Sequence, residues 1–374
     1  MRLLVVDMKL AFPAVQRERL EAAGVQVTQV DIPRAVSASA AADGALDSAA
    51  ILRASEAAGG CDVLLNSGGV VTAGEVLPKL PGLKAVIRMG SGFENIPVDE
   101  ATSLGIVVMN TPRANIAPVS EHAVALLLAA ARQIPMLDRS LHDGSFAAGA
   151  GAWNVGVNGH VPVTTAGSTV GLLGFGAIAR AVATKLGGFD LAEIIACDAV
   201  VDESTMNEGL ALPCGRVRKV ELDELLRSAD FLSVHVPLLP STHHLLSNAE
   251  FKKMKPNAIL VNTARGPVVD ESALIHALRS GEIKGAALDV LEDEPVGSGH
   301  AVESLDNLIL TPHSASANPK QFGNFVTEAA DVVLALVRDE RPQTVVNPAV
   351  LEMPTRRMPL AGTGAGGIRA GARM

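Results

Sequence analysis

The fold of this chain is decided by the stretch Thr169-Val170-Gly171-Leu172-Leu173-Gly174-Phe175-Gly176-Ala177-Ile178-Ala179. An apolar strand runs directly into G-x-G-x-x-A, and a helix-like stretch continues to Leu186. Gly174 permits the tight turn, Gly176 lets backbone approach a pyrophosphate, and Ala179 allows close packing of helix on strand. The helix N-terminus adds N–H donors and a favourable dipole. We therefore predict a dinucleotide-binding unit that contacts its cofactor through Gly174, Gly176, Ala177 and Ile178.

The strand predicted next, over residues 194–197, ends at Asp198. That position is roughly twenty residues beyond the motif, where a carboxylate binds the ribose 2′-hydroxyl. Asp198 would repel a 2′-phosphate and no Arg follows it directly, which favours NAD over NADP. Two alternatives stay open: an NADP enzyme, and a glycine turn in an unrelated α/β protein with Asp198 merely ending a strand.

Short apolar runs alternate with helix-like stretches along the chain, which is typical of βαβ units and a parallel sheet. Two series of strands are predicted, at residues 3–6, 63–65, 85–87 and 106–109, and at 169–173, 194–197, 231–234, 259–262, 286–288 and 308–310.

Two long helices complete the predicted pattern. The first runs to residue 131 with Asn115 as N-cap and Pro118 in its first turn, and the second covers residues 322–336 and is closed by Pro342. Residues 149–165 lack a clear period and read as a loop. Beyond about Pro354 the chain is rich in Gly, Ala, Arg and Thr, so residues 351–374 are predicted to form a disordered tail.

Composition limits the class of protein. With 374 residues the chain exceeds what one hydrophobic core usually serves, and 48% of it is hydrophobic. A net charge of −9 argues against binding to nucleic acid or to an anionic membrane. The three cysteines form no CxxC pair and no metal-ligand spacing. The predicted apolar helical run near residues 123–131 is shorter than a membrane span, so we expect a soluble protein. The cysteine pattern indicates a reduced, cytoplasmic protein without a metal.

Three polar groups follow successive strands of the second series. Arg265 follows strand 259–262, Glu294 follows strand 286–288, and His313 follows strand 308–310. The carboxyl ends of parallel strands face one ligand crevice, so these groups are expected to converge. A protonated His can give its proton to a carbonyl oxygen, a carboxylate can orient the ring, and an Arg can hold a substrate carboxylate. Taken singly, His313 could be a loop histidine, Glu294 a surface charge and Arg265 a turn-stabilising donor. Their shared placement at successive strand ends favours a catalytic role.

From about Val86 to about Asn347 the sequence resembles the D-isomer-specific 2-hydroxyacid dehydrogenase family. The resemblance rests on several independent motifs: Gly90-Ser91-Gly92-Phe93-Glu94-Asn95-Ile96, Glu121-His122, residues 174–179, His235-Val236-Pro237, residues 262–266, Ala287-Leu288-Asp289-Val290 with Glu294-Pro295, and Thr311-Pro312-His313.

The resemblance implies two Rossmann-like α/β domains, with parallel sheets flanked by helices and a cleft between the domains. Residues 1–111 plus 317–350 would form the discontinuous substrate domain and residues 112–316 the NAD-binding domain, with hinges near residues 110–111 and 312–318. The long helix from Asn115 would join two cofactor domains in a homodimer.

The resemblance also assigns roles. Arg265 would anchor the substrate, His313 would be the general acid/base and Glu294 its partner. The backbone of Ser91 and Gly92 would bind the substrate carboxylate. Asp289 would contact the nicotinamide carboxamide, and the remaining cofactor contacts would come from His235, Pro237, Thr263, Ala264, Arg265 and His313.

Three departures narrow the resemblance. Residues 314–318 read Ser-Ala-Ser-Ala-Asn where small residues or Gly-Gly are common. The loop Asn66-Ser67-Gly68-Gly69-Val70 lacks the Arg that phosphoglycerate-oxidising relatives place there, which disfavours phosphoglycerate; Arg113 is either a substitute cation or an exposed hinge arginine. Residues 88–93 resemble the C-terminal-binding-protein co-repressors, but the Trp that those proteins carry after the His is missing here.

The sequence therefore predicts an NAD-dependent oxidoreductase that transfers hydride between NADH and a small 2-keto acid, the product being a D-2-hydroxy acid. The alternative is a non-catalytic, NAD(H)-sensing scaffold. A pure scaffold has no need of a general acid, so the set of Arg265, Glu294 and His313 favours the enzyme.

Overall fold

A computed structural model of the chain describes residues 1–6, 10–33, 45–142, 144, 161–342 and 344–358. The chain divides into two compact units, Met1–Asn115 with the described residues from Asn318 onward, and Ile116–Ala317. The domain bounds and hinges expected from the resemblance stay predictions. Residues 149–160 of the predicted loop and residues 359–374 of the predicted tail lie outside the described residues.

The first unit is built on a parallel sheet of five strands. Its elements up to the end of that sheet are β1 (Arg2–Val6), α1 (Ala14–Ala22), β2 (Gln26–Val30), α2 (Ser48–Ala57), β3 (Val63–Asn66), β4 (Ala85–Arg88), α3 (Val98–Ser103) and β5 (Val107–Asn110). The strands lie in the order β2-β1-β3-β4-β5.

The second unit is built on a parallel sheet of seven strands. The elements of the second unit are α4 (Ile116–Arg132), α5 (Ile134–His142), β6 (Thr169–Leu173), α6 (Ala177–Leu186), β7 (Glu193–Cys197), α7 (Glu203–Asn207), β8 (Arg218–Lys219), α8 (Leu222–Ser228), β9 (Phe231–Val234), α9 (Asn248–Phe251), β10 (Ile259–Asn262), α10 (Glu271–Ser280), β11 (Gly285–Leu288) and β12 (Leu308–Leu310). The strands lie in the order β12-β11-β10-β9-β6-β7-β8. The chain then returns to the first unit as α11 (Gln321–Val337).

Apolar strands buried on both faces hold each sheet between two layers of helices. All four residues of β3, β9 and β10 are buried, as parallel strands covered on both sides require. In the first unit α1 and α11 pack on one face of the sheet and α2 and α3 on the other. In the second unit α4 and α6 cover one face and α8 to α10 the other. The predicted α/β fold with parallel sheets flanked by helices is confirmed.

Two strands were missing from the sequence prediction, and both lie at the edge of a sheet. β2 reads Gln-Val-Thr-Gln-Val and buries only Val27, so its polar residues hide the strand signal. β8 has two residues, Arg218 and Lys219, neither of them apolar. Edge strands need few apolar residues because one side of them meets solvent.

The predicted N-cap of α4 is wrong. Asn115 ends a 3-10 turn, Arg113–Asn115, and its Oδ1 is buried without a hydrogen-bond partner. Glu328 of α11 instead accepts hydrogen bonds from the backbone N–H groups of Arg113 (3.2 Å) and Ala114 (2.9 Å). It also pairs with the Arg113 side chain at 3.2 Å, and that side chain stays 53% exposed.

The apolar run in α4 is longer than the sequence suggested. Within the described residues, one helix, Arg113–Arg132, is long and apolar enough to cross a membrane, judged by length and composition alone. Its residues Ala123, Leu126 and Leu127 are buried in the core of the second unit, which is how a core helix behaves.

The predicted start of the tail at residue 351 is also wrong. Pro348–Glu352 forms a 3-10 helix, and Leu351 and Met358 are buried in the core that α11 forms with the first sheet. The segment is also held by hydrogen bonds from Arg357 to the carbonyls of Leu80, Leu83 and Gly105.

Candidate active site

The predicted residues of the cofactor and catalytic sites follow the carboxyl ends of six strands of the second sheet, β6, β7, β9, β10, β11 and β12. β6 and β9 are neighbours in this sheet, and the chain runs from β6 to β7 and β8 on one side before it returns to β9 on the other. That reversal of strand order marks the place where α/β sheets bind ligands.

The glycine motif after β6 has the geometry that close approach of a dinucleotide requires. Gly174 has φ +88°, and a Cβ there would lie 2.9 Å from the backbone of His235 and Val236. Gly176 precedes α6 and has open space where its Cβ would be. Gly176 and Ala177 are exposed, Ile178 is half-buried, and Ala179 is buried against the sheet. The N-terminus of α6 therefore presents bare backbone to a pyrophosphate.

Asp198 follows β7 and closes the same loop. Its carboxylate accepts hydrogen bonds from the backbone N–H groups of Phe175, Val200 and Val201, each at 2.8 Å. Burial by itself would raise the pKa of Asp198, but these three hydrogen bonds lower it below its usual range. An ionised carboxylate is thus fixed beside the glycine motif, as an NAD ribose site requires.

Polar atoms without partners lie at the ends of β9 and β10. Nε2 of His235 and Oγ1 of Thr263 are buried and make no hydrogen bond. Burial lowers the pKa of His235 to about 4, so its ring is neutral at neutral pH. Buried polar groups are rarely left unpaired, and such atoms mark a place for a bound group. Together with the open space at Gly176, they fit NAD; Pro237 lies on the exposed segment that follows His235.

A buried asparagine shapes the loop that carries Arg265. Asn262 accepts a hydrogen bond from the N–H of Ala264 (2.9 Å) and donates one to the carbonyl of Arg265 (2.9 Å). The next residue, Gly266, lies against the backbone of Leu291, and a Cβ at Gly266 would be 1.8 Å from the Leu291 carbonyl oxygen. This close crossing joins the Arg265 loop to the segment that carries Glu294.

Glu294 and His313 form a direct pair. Nδ1 of His313 lies 2.6 Å from Oε2 of Glu294, while Oε1 of Glu294 accepts from the N–H of Leu291 at 2.9 Å. The hydrogen bond to Glu294 raises the pKa of His313, against the opposing effects of burial and the Arg265 charge. Burial would raise the pKa of Glu294, but His313, the Leu291 N–H and Arg265 lower it. The result is an ionised carboxylate that favours an imidazolium.

Asp289 anchors the loop that carries His313. Its side chain has no solvent-accessible surface. It accepts hydrogen bonds from the Thr311 hydroxyl (2.6 Å) and from the N–H groups of Ser314 and Ala315 (both 2.9 Å). In the structure the Asp289 carboxylate thus accepts its hydrogen bonds from the protein itself. A contact from Asp289 to a nicotinamide carboxamide stays a prediction.

Ser91 and Gly92 belong to the first unit and follow β4 in a turn of their own. Gly90 has φ +122°, and its N–H donates to the Thr111 hydroxyl at 2.7 Å. The Ser91 carbonyl accepts a hydrogen bond from Asn110 at 2.7 Å. The turn is therefore held by side chains from the end of β5.

Sequence reasoning missed the supporting residues of the site. It gave no role to His122, whose Nε2 lies 2.9 Å from the Thr311 hydroxyl, or to the internal hydrogen bonds of Asn262. It also did not foresee that Gly266 is needed for a backbone crossing. For Asn262 and Gly266, the only indication in the sequence was the motif of residues 262–266 itself.

Comparison with known proteins places the chain in a family. Residues 124–315 match the family model described as "D-isomer specific 2-hydroxyacid dehydrogenase, NAD binding domain". A glyoxylate reductase of Korarchaeum cryptofilum is 36% identical over 78% of this chain and 85% of its own length. A D-3-phosphoglycerate dehydrogenase of Mycobacterium bovis is 37% identical over 76% of this chain and 51% of its own length. The NAD-complexed form of a D-isomer specific 2-hydroxyacid dehydrogenase from Lactobacillus delbrueckii ssp. bulgaricus has 26% identity and a TM-score of 0.69, covering 93% of this chain and all of that one.

The fold, the site and these relatives define an NAD-dependent dehydrogenase with a Rossmann cofactor domain. The chain belongs to the D-isomer-specific 2-hydroxyacid dehydrogenase family. The predicted family, enzyme class and cofactor are confirmed, and the non-catalytic scaffold is not favoured.

Proposed function

We propose that this enzyme reduces a short 2-keto acid, with glyoxylate as the first candidate, to the D-2-hydroxy acid or its achiral equivalent. The observation that carries the proposal is the His313–Glu294 pair at 2.6 Å with the charge of Arg265 acting on both groups. An acid, its orienting carboxylate and a cation are the groups that reduction of a 2-keto acid needs.

Each of the three side chains has a chemical task in this proposal. Arg265 holds the substrate carboxylate through its planar fork of donors and polarises the adjacent carbonyl. Because Nδ1 of His313 is committed to Glu294, Nε2 is the atom that delivers the proton to the substrate oxygen. Glu294 keeps the ring charged until that transfer and fixes its orientation.

The cofactor site supports the same reaction. Bound NADH supplies the hydride that the carbonyl carbon accepts. The backbone at Gly174, Gly176, Ala177 and Ile178 would hold the pyrophosphate, and Asp198 the ribose. His235, Pro237, Thr263 and Ala264 would line the remaining length of the cofactor.

The first unit supports a small substrate. We propose that the backbone at Ser91 and Gly92 receives the substrate carboxylate. The neighbouring loop, residues 66–70, is closed by Asn66, whose side chain donates to the Gly69 carbonyl at 2.6 Å, and it contains no cationic residue. A phosphorylated substrate would find no charge partner in that loop, which favours glyoxylate over 3-phosphohydroxypyruvate, the keto acid that corresponds to phosphoglycerate.

The test is NADH oxidation, followed by nicotinamide absorbance, with glyoxylate, hydroxypyruvate, pyruvate and 3-phosphohydroxypyruvate. Wild type is compared with His313→Ala, Arg265→Ala and the control His276→Gln, an exposed histidine of α10. We expect turnover of glyoxylate, loss of at least about a hundredfold in both site variants, and unchanged NADH affinity in His313→Ala. Tight NADH binding without turnover of any acid would contradict the proposal and favour the sensing scaffold.

We also propose that the protein is a homodimer. Support for the dimer comes from α5, where the apolar side chains of Ile134 and Leu141 are 56% and 65% exposed. Light scattering of wild type and of the double variant Ile134→Asp/Leu141→Asp tests the dimer: a monomeric wild type would contradict it.

We further propose that the protein is cytoplasmic. Support comes from Cys61, Cys197 and Cys214, which are all free thiols.

A further inference from the structure

His122 lies near the start of α4, on the side of the helix that faces the catalytic loop of the second unit. Its Nε2 is 2.9 Å from Oγ1 of Thr311 and 3.4 Å from Oδ1 of Asp289. Its side chain is 24% exposed. Thr311 and Asp289 are the residues that hold the turn of His313, so His122 is connected to the catalytic histidine through two hydrogen-bonded neighbours.

The direction of these hydrogen bonds follows from the chemistry of the groups. A threonine hydroxyl has one hydrogen, and Thr311 lies 2.6 Å from an Asp289 oxygen that can only accept when ionised. Thr311 therefore donates to Asp289. The hydroxyl can then only accept from His122, which places a hydrogen on Nε2 of that ring. The chain of donors runs from His122 through Thr311 to Asp289.

The turn that this chain supports is strained. His313 has φ +50°, in the left-handed region that residues with a side chain seldom adopt. Its own N–H donates to the Asp289 carbonyl at 2.8 Å, and the Asp289 carboxylate binds Thr311 before it and Ser314 and Ala315 after it. Such a conformation persists only where the surroundings over-determine it.

We propose that His122 is a positioning residue for His313: its Nε2–H orients the Thr311 hydroxyl toward Asp289 and thereby fixes the left-handed turn that places the His313 ring on Glu294. The proposal rests on the proposed function, in which His313 is the acid. The charged group that faces His122 is Asp289; those that face His313 are Glu294, Arg265 and Asp289.

Loss of the donor has a consequence at His313 that a simple packing defect would lack. Without His122 the Thr311 hydroxyl no longer has a fixed orientation, and the Asp289 carboxylate loses one of its oriented donors. As the turn relaxes, the 2.6 Å contact of His313 with Glu294 lengthens. Because that contact raises the pKa of His313, the pKa then falls toward its ordinary value. Reduction needs protonated His313. As the pH is raised, the variant would therefore lose its reductase activity at a lower pH than the wild type does.

The experiment uses the full chain and compares His122→Phe, which fills the space without a donor, with His122→Gln, which keeps an N–H near the Nε2 position. His276→Gln is the control. We measure kcat and KM for glyoxylate across pH, Kd for NADH, and the titration of the His313 ring by NMR, assigned with His313→Gln. For His122→Phe we expect a fall in kcat of about tenfold or more, a lower apparent pKa in both readouts, and a Kd for NADH within about twofold of wild type. His122→Gln should recover most of the kcat.

Wild-type kcat, pH profile and His313 titration in folded His122→Phe would overturn the proposal. An equal loss in both His122 variants with an unchanged His313 titration would also overturn it, since that result fits packing alone. If His122→Phe does not fold, Thr311→Val against Thr311→Ser tests the same chain with nearly constant volume. If wild type reduces none of the acids, the proposed function fails, while the His313 titration still decides whether His122 positions that ring.

Discussion

Gly266 lies where the Arg265 loop crosses the backbone of Leu291, and replacing it by alanine should separate the catalytic groups. An alanine Cβ would be 1.8 Å from the Leu291 carbonyl oxygen, 2.0 Å from its carbon and 2.6 Å from the nitrogen of Glu292. An ordinary carbon–oxygen contact is about 3.3 Å, so the two backbones would have to move apart by about 1.5 Å. All three atoms are backbone, so no rotamer change can relieve the clash.

The displacement acts on the site through Glu294, which the Leu291 N–H holds at 2.9 Å. A misplacement of about 1 Å can cost about a hundredfold in rate, and overpacking costs about 1–3 kcal/mol of stability. We therefore expect Gly266→Ala to lower kcat about a hundredfold and to reduce the free energy of unfolding, measured by NADH oxidation and urea denaturation. The control is Gly323→Ala, within α11 and with open space at its Cβ, which should stabilise by about 0.4–1 kcal/mol. A Gly266→Ala enzyme with wild-type kcat would refute this account of the crossing.

Three further predictions concern pH and stability. Since Glu294 raises the pKa of His313, the reductive kcat/KM should be highest below that pKa and fall as the pH rises through it. Glu294→Gln should move this fall to lower pH. An unchanged pH profile would show that the Glu294–His313 pair does not determine the pH dependence. Burial alone would raise the pKa of Asp62, but the side-chain and backbone hydrogen bonds of Arg2 and the neighbouring positive charges lower it to about 2. The Arg2–Asp62 pair should stabilise the fold above about pH 4 and lose its effect as the pH falls toward 2. The difference in free energy of unfolding between wild type and Asp62→Asn, measured by urea denaturation, should therefore shrink over that range; a constant difference would contradict this. Glu328→Ala should cost about 3 kcal/mol in urea denaturation, because it leaves two backbone N–H groups without their acceptor; a loss below about 0.5 kcal/mol would mean that water replaces the carboxylate.

The cofactor half of the site could be predicted because its signals are local. Gly174, Gly176 and Asp198 lie within one βαβ unit, and each residue type is required by the backbone or by the charge of a dinucleotide at that position. The residues that we propose as catalytic could be predicted only as a group, since one rule about parallel strands puts the ends of β10, β11 and β12 on the same edge of a sheet.

The sequence by itself determined that this chain folds as parallel α/β sheets, has a glycine motif between a strand and a helix, and carries Arg265, Glu294 and His313 after successive strands. Only the tertiary structure decided how the three are held: the Gly266 crossing, the buried Asp289 carboxylate and the donor from His122 on a helix almost two hundred residues away along the chain. The difference has a physical reason. Strand ends and glycine turns follow from local periodicity and backbone sterics, whereas hydrogen bonds across distant segments depend on packing distances of a few ångström that no local pattern encodes.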